Sequence, residues 1–275
     1  MDTSSWKPLL RRPEPRDHLI QLYTDEAFLA AAVTHFLGSG LAEGEAAVII
    51  ATPEHVELFT RGLTAQGFDV RGLAKHDRLV VLDARDTLAK FMVDGMPEPT
   101  TFLSLITGIL DRIRAAGHAD VRLYGEMVNL LWNHNLEATV QLEALWNEVL
   151  AERGVSLLCA YGMDAFDARA YGGVLHRICR SHSYLIPVDD YERFDHAVDR
   201  AFADVFGRDD AGRLRELMAS RNGSTARMPA AQAALFALRD LPASVGEAVL
   251  DRTRHHYGNG GNGKNGAEPT APNSR

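Results

Sequence analysis

Three soft metal ligands, His176, Cys179 and His182, fall at i, i+3 and i+6 along one stretch of the chain. On a helix the first two share a face, and the third is rotated away from it unless the helix ends first. Thiolate and imidazole together raise zinc or haem ligation as a chemistry. No Cys-x-x-Cys and no second ligand pair accompanies them, so the spacing reads as a buried cysteine beside a hydrogen-bonded histidine, and no metal or cofactor is expected. A hydrolase would need an activated nucleophile, and Cys159 or Cys179 with a histidine is the available pair. Cys159 lies inside the apolar run Leu157-Leu-Cys-Ala-Tyr161, where burial raises the thiol pKa and closes access. There is no Gly-x-Ser-x-Gly elbow. The expectation is a protein that is not an enzyme.

Binding chemistry is better represented. In open parallel sheets, ligands sit beyond the carboxyl ends of the strands. That rule selects Tyr23, Thr52 with His55, Asp83, Tyr124 through Met127, and Tyr161 with Met163. Glu126 follows Gly125 at one such end, and reads either as a polar anchor for a ligand or as a first-turn glutamate favoured by the helix dipole. Trp132, Trp146, Met127, Tyr124 and Tyr161 read collectively as an aromatic pocket for a small organic molecule, and singly as plain core. His18, at the other end of its strand, reads as structural. The candidate ligand-binding set is Tyr23, Thr24, His55, Tyr124, Glu126, Met127, Trp132 and Tyr161.

These positions depend on elements that the sequence spells out in order. His18-Leu-Ile-Gln-Leu-Tyr23 is an apolar run suited to a buried strand. Thr24 then offers a helix-capping hydroxyl, with Asp25 and Glu26 in the first turn. The following helix is expected to end at Gly38 and Gly40. A strand over residues 46–51 runs into Thr52-Pro53, a capping hydroxyl followed by proline at the first helical position. The alternation continues with strands at 78–83, 121–124 and 155–161, and helices at 87–93, 101–116 and 136–153. Strands of Val, Ile and Leu without polar alternation are buried on both faces, which implies a mostly parallel sheet between two layers of helices. A helix is expected over 166–182 and an edge strand at 184–187, where proline is tolerated.

Beyond that point the pattern changes to four helical segments, at 190–206, 211–220, 230–239 and 244–254, with no strand among them. The division expected is an arm over 1–16, an α/β domain over 17–187, a small all-helical appendage over 188–256 and a disordered, Gly- and Asn-rich tail over 257–275. A formal charge of -8 opposes a broad nucleic-acid surface. No run reaches the ~20 apolar residues of a membrane helix, residues 1–16 carry no secretion-signal core, and two cysteines make no disulfide framework. A cytoplasmic location is expected.

The first strand enters Tyr23-Thr-Asp-Glu-Ala27, and no Gly-x-x-x-x-Gly-Lys-Ser/Thr occurs anywhere. Asp25 and Glu26 would repel a triphosphate. With the further segments Gly40-Leu-Ala-Glu-Gly-Glu45, Ala51-Thr-Pro-Glu-His55, Phe91-Met-Val-Asp-Gly95, Tyr124-Gly-Glu-Met127, Leu142-Glu-Ala-Leu-Trp146 and Cys179-Arg-Ser-His182, the chain over 17–187 resembles the MEDS family, the methanogen/methylotroph DcmR sensory domain. The resemblance implies a RecA/KaiC-like three-layer fold without the P-loop, and a module that recognises small organic molecules and signals to a regulatory protein partner, in transcriptional or two-component regulation. The helical appendage is the expected contact for that partner. A ligand-free interaction adaptor and a residual nucleotide binder are the alternative readings. The oligomeric state stays open, a homo-oligomer included.

Overall fold

Six short runs of Val, Ile, Leu and Ala form one sheet because each lacks the polar alternation that would leave a face in water. The strands are β1 (His18–Tyr23), β2 (Ala46–Ala51), β3 (Leu79–Asp83), β6 (Val121–Gly125), β7 (Ser156–Gly162) and β8 (Tyr184–Ile186), in the order β3-β2-β6-β7-β1-β8. Every pairing among them is parallel. β1 and β2 are buried at every position, and β8 is the edge strand anticipated before Pro187. A two-residue hairpin, β4 (Met92–Val93) with β5 (Met96–Pro97), is antiparallel and was not anticipated. The structure is a computed structural model and describes residues 6–167, 177–179, 181–222 and 228–259.

One face of the sheet carries α2 (Glu26–Glu43) and α3 (Pro53–Ala65), and the other carries α6 (Pro99–Ala115), α7 (Met127–Trp132) and α8 (Leu136–Arg153). The short helices α4 (Val70–Lys75) and α5 (Ala84–Ala89) flank β3. This is the expected three-layer α/β architecture. The chain then forms α9 (Tyr191–Phe206), α10 (Arg208–Asn222), α11 (Ala230–Phe236), a 3-10 turn (Ala237–Asp240) and α12 (Ala243–Asn259). Tyr191, Phe194, Ala197, Val198, Ala201 and Phe202 of α9 recur at helical spacing and are buried, and α9 packs along α12.

Several local expectations are corrected. The arm is ordered from residue 6: α1 (Lys7–Arg11) buries Leu10, and the buried Trp6 donates its ring N–H to the Asp189 carbonyl at 3.1 Å. Two apolar anchors therefore outweigh the three prolines. Thr24 does not cap α2; Asp25 does, its carboxylate accepting the Ala27 N–H at 2.8 Å. Nor does α2 end at Gly38 or Gly40. It runs to Glu43 and stops at Gly44, whose φ of 99° is the left-handed conformation that ends a helix. Gly40 serves a close approach instead, since a Cβ there would lie 2.5 Å from Arg122 Nε. α12 continues past 256 to Asn259, so the tail boundary falls later. Most of the helix expected over 166–182, with His176, lies outside the described residues.

Candidate functional site

Glu126 stands immediately after β6, with its carboxylate turned into the protein and almost fully buried. The Thr52 N–H and hydroxyl donate to it at 3.1 and 3.3 Å, and His55 Nδ1 donates at 2.8 Å. Thr52 was expected to cap α3 with this hydroxyl, which Glu126 has taken; proline at the first helical position leaves one fewer amide to cap. His55 Nε2 meets Glu26 at 2.7 Å. With a carboxylate oxygen against each ring nitrogen, His55 holds both protons, and the hydrogen bond to Glu126 leads in raising its pKa to about 8. Glu26, His55 and Glu126 thus form one chain across the ends of α2, α3 and β6.

Tyr23 adjoins this chain, its ring edge-on to His55 with centroids 6.3 Å apart. Its hydroxyl accepts a hydrogen bond from Asn129 Nδ2 at 3.4 Å, and Asn129 Oδ1 accepts the Gly162 N–H at 2.9 Å. Burial and the two nearby glutamates push the Tyr23 hydroxyl pKa well up. Tyr124 packs edge-on against Phe59 at 5.0 Å. The strand-end rule therefore brought Tyr23, His55, Tyr124 and Glu126 to one neighbourhood. Among these four, His55 and Glu126 are bonded to each other, while the Tyr23 hydroxyl is taken by Asn129.

The collective aromatic pocket is not formed. Parallel partners point to the same side of a sheet, and Tyr124 pairs with Leu158 while Leu22 pairs with Tyr161. Leu158 and Tyr161 are three residues apart, so Tyr124 and Tyr161 face opposite layers. Trp132 packs edge-on against Tyr161 at 5.3 Å, Trp146 packs against Phe102 at 5.1 Å, and Met127 is fully buried. These side chains are core. Tyr161 spends its hydroxyl on Glu143 of α8.

A crevice does open at the carboxyl ends of β1 and β7, with a volume of about 220 Å³. Tyr23, Thr24, Phe28 and Met163 line its sheet side. Asp189, Arg193 and Tyr257 line the other side, from the start of the helical appendage and the last helix. The Tyr257 hydroxyl donates to Asp189 at 2.6 Å, and the Arg193 guanidinium lies 3.9 Å from the Tyr257 ring centroid. Sequence reasoning missed this wall. Tyr257 had been assigned to a tail, and only the apolar spacing along the last helix signalled otherwise. A broader depression of about 540 Å³ lies between α5 and α7, lined by residues such as Arg85, Met92, Asn129 and His134.

Comparison with known proteins decides the family. The sequence profile of MEDS, the MEthanogen/methylotroph, DcmR Sensory domain, matches residues 17–183. The chain belongs to the MEDS family. Among curated proteins none matches. Among solved structures, a KaiC-like protein from the archaeon Pyrococcus horikoshii is similar at 17% identity and a TM-score of 0.38. That alignment covers 54% of this chain and 64% of the archaeal one. The MEDS domain holds the Glu26-His55-Glu126 chain and the sheet side of the crevice. Asp189, Arg193 and Tyr257 lie beyond it.

The MEDS domain also encloses a polar cluster that the sequence did not reveal. His18, Glu143, Cys159 and His182 are all buried, and one ligand atom from each lies within 4.8 Å of every other. Burial lowers the pKa of both imidazoles, raises that of the Cys159 thiol, and pushes the Glu143 carboxyl up to about 8. His182 is joined in this cluster to residues up to 164 positions away in the sequence. The available signal was Glu143, a carboxylate on the apolar stripe of α8 between Thr139 and Trp146.

Proposed function

We propose that this chain is a non-catalytic sensory protein that binds a small organic molecule in the crevice at the ends of β1 and β7 and signals through its C-terminal helices to a regulatory protein. Membership of a sensory-domain family supports the general role. The observation that carries the specific reading is the crevice itself, whose walls come mostly from the MEDS domain and are completed by Asp189, Arg193 and Tyr257 of the segment and helices that follow it. A ligand there touches both parts. It shifts their arrangement by as much as it prefers one arrangement over another, and no more. The volume of about 220 Å³ is below the ~300–1,000 Å³ of drug-sized pockets, which suits simple organic compounds.

Nucleotide binding is disfavoured by the same geometry. The amides at the start of α2 are where a P-loop fold would meet phosphate, and here the Asp25 carboxylate accepts that of Ala27 while Glu26 pairs with His55. With a net charge of -8, contact with DNA falls to the partner in a transcriptional or two-component system.

The test is a thermal-shift screen against small halogenated, methylated and other simple organic compounds, with ATP and GTP alongside. A ligand at 100 times its Kd adds about 2.7 kcal/mol, a shift of several degrees. The expected result is a shift with one organic class that is abolished in Arg193→Ala and Tyr257→Ala, with no shift from nucleotides. A shift from ATP or GTP, or an organic shift unchanged in both variants, overturns this reading.

A further inference from the structure

The cluster between β1, β7, α8 and the residue leading into β8 has the arrangement of a closed metal site. His18 Nε2 lies 3.3 Å from Glu143 Oε2 and 3.4 Å from Cys159 Sγ. His182 Nε2 lies 3.5 Å from the same Glu143 oxygen, and Cys159 Sγ lies 3.9 Å from it. A tetrahedral zinc ion with bonds of 2.0–2.3 Å requires ligand-to-ligand edges of roughly 3.3–3.6 Å. Four donors from four separate elements thus stand close to the separations that one ion imposes.

The surrounding hydrogen bonds point the donors inward. His182 Nδ1 lies 2.7 Å from the Ile178 carbonyl, which only accepts, so this nitrogen carries the proton and Nε2 presents a lone pair. His18 Nδ1 meets the side-chain oxygen of Asn147 at 2.9 Å, which fixes the same tautomer. The Tyr161 hydroxyl donates to the other oxygen of Glu143. Backbone carbonyl, amide and hydroxyl partners behind the ligands are the outer shell that orients metal-binding side chains. Among the described residues His182 Nε2 is fully buried and has no hydrogen-bond partner. A buried polar atom left this way is costly unless something satisfies it.

We propose that His18 Nε2, Glu143 Oε2, Cys159 Sγ and His182 Nε2 bind one divalent zinc-type cation in a closed, structural site. The charge balances without help from solvent. The carboxyl and the thiol each lose a proton, two protons leave, and one dication meets two anions and two neutral imidazoles. Four protein ligands leave no open position for substrate, so the ion holds structure and performs no hydrolysis. Softness of the Cys and His donors with one carboxylate favours zinc over magnesium or calcium. The ion ties the first strand, the centre of β7 and α8 to His182, two residues before β8, from which the chain passes to α9. It therefore anchors the edge from which the sensing helices depart.

The experiment uses the full chain, purified without a polyhistidine tag and dialysed against metal-free buffer without chelator. Elemental analysis is expected to find about one equivalent of zinc or a related divalent transition metal in the wild type. Stripped protein titrated with Co²⁺ is expected to develop the visible bands of a four-coordinate ion and a thiolate charge-transfer band. Cys159→Ala, an apolar replacement in an apolar strand, is expected to abolish the charge-transfer band while the far-ultraviolet circular dichroism stays unchanged. Tyr161→Phe keeps all four ligands and is expected to weaken metal binding by about 10–100-fold. Below about 0.2 equivalents of metal, with no cobalt spectrum on titration, the site does not exist. Metal bound equally by wild type and Cys159→Ala, without a thiolate band, places the ion elsewhere and equally overturns the proposal.

Discussion

His55 is held between two carboxylates, and its protonation is part of the fold. Its pKa stands near 8 in the folded chain, against 6.5 for an unperturbed histidine. A raised folded pKa gives a contribution that is complete below about pH 6.5 and is lost as pH rises through 8. We expect His55→Gln to lower stability by about 1 kcal/mol at pH 6, since exposure of Glu26 lets water screen part of the interaction. The gap between the two proteins should close by pH 9 in urea titrations, and a gap independent of pH would show that His55 is neutral. Tyr124 gives a contrasting expectation. Its hydroxyl is buried without a hydrogen-bond partner among the described residues, so Tyr124→Phe should leave stability unchanged or raise it by up to about 1 kcal/mol. Chemical denaturation of that variant checks the point. Strand-end position alone was enough to single out Glu126, His55 and Tyr23. It could not show that Glu126 and His55 bind each other with the Tyr23 ring beside them, because that depends on how α2 and α3 lie across the sheet.

Elements are locked together by a buried arginine. Arg122 is the second residue of β6 and is 2% exposed. Its guanidinium donates to both oxygens of Glu45 at 2.7 and 2.8 Å, and Nη1 reaches the carbonyls of Leu10, Arg11 and Phe36. These bonds satisfy carbonyls at the end of α1 and join that helix to α2 and the sheet. Removing one partner of a buried pair leaves an uncompensated charge, so Glu45→Ala should cost about 3 kcal/mol. Gly40→Ala should cost a comparable amount, because the new Cβ occupies the space of the Arg122 side chain. Equilibrium unfolding of each variant and of the double mutant tests whether both act through Arg122; strictly additive losses would refute that. In the sequence, Gly40 looked like a helix terminator. Only the approach of β6 explains why a glycine stands in mid-helix.

For the whole molecule, the proposed function turns on the contact between the MEDS domain and the C-terminal helices. Tyr257 of α12 touches Phe166 and Phe194 through its ring, Asp189 through its hydroxyl and Arg193 through its face. Tyr257→Ala should therefore loosen α12 from α9 and from the crevice, at a cost of roughly 2 kcal/mol. Hydrogen exchange should show faster exchange confined to α9 and α12, with the sheet unaffected. Uniform acceleration across the chain would mean that the helices and sheet unfold as one unit. No helix among the described residues is long and apolar enough to cross a membrane, in agreement with the reading of the apolar runs.

The sequence by itself determined the alternation of strands and helices, the parallel sheet, the missing phosphate loop and the family. Those features are local or depend on the order of short segments: apolar runs such as Ala46–Ala51, the proline at the start of α3, and the acidic pair Asp25 and Glu26 where a P-loop needs glycine and lysine. The tertiary structure alone decided which side chains meet. Sheet register sent Tyr124 and Tyr161 to opposite faces and dissolved the aromatic pocket. Packing gathered His18, Glu143, Cys159 and His182 from four elements, and brought Tyr257 back against Asp189. Spacing along a chain carries no information about contacts between residues a hundred positions apart, because those are fixed by the layers that bury them.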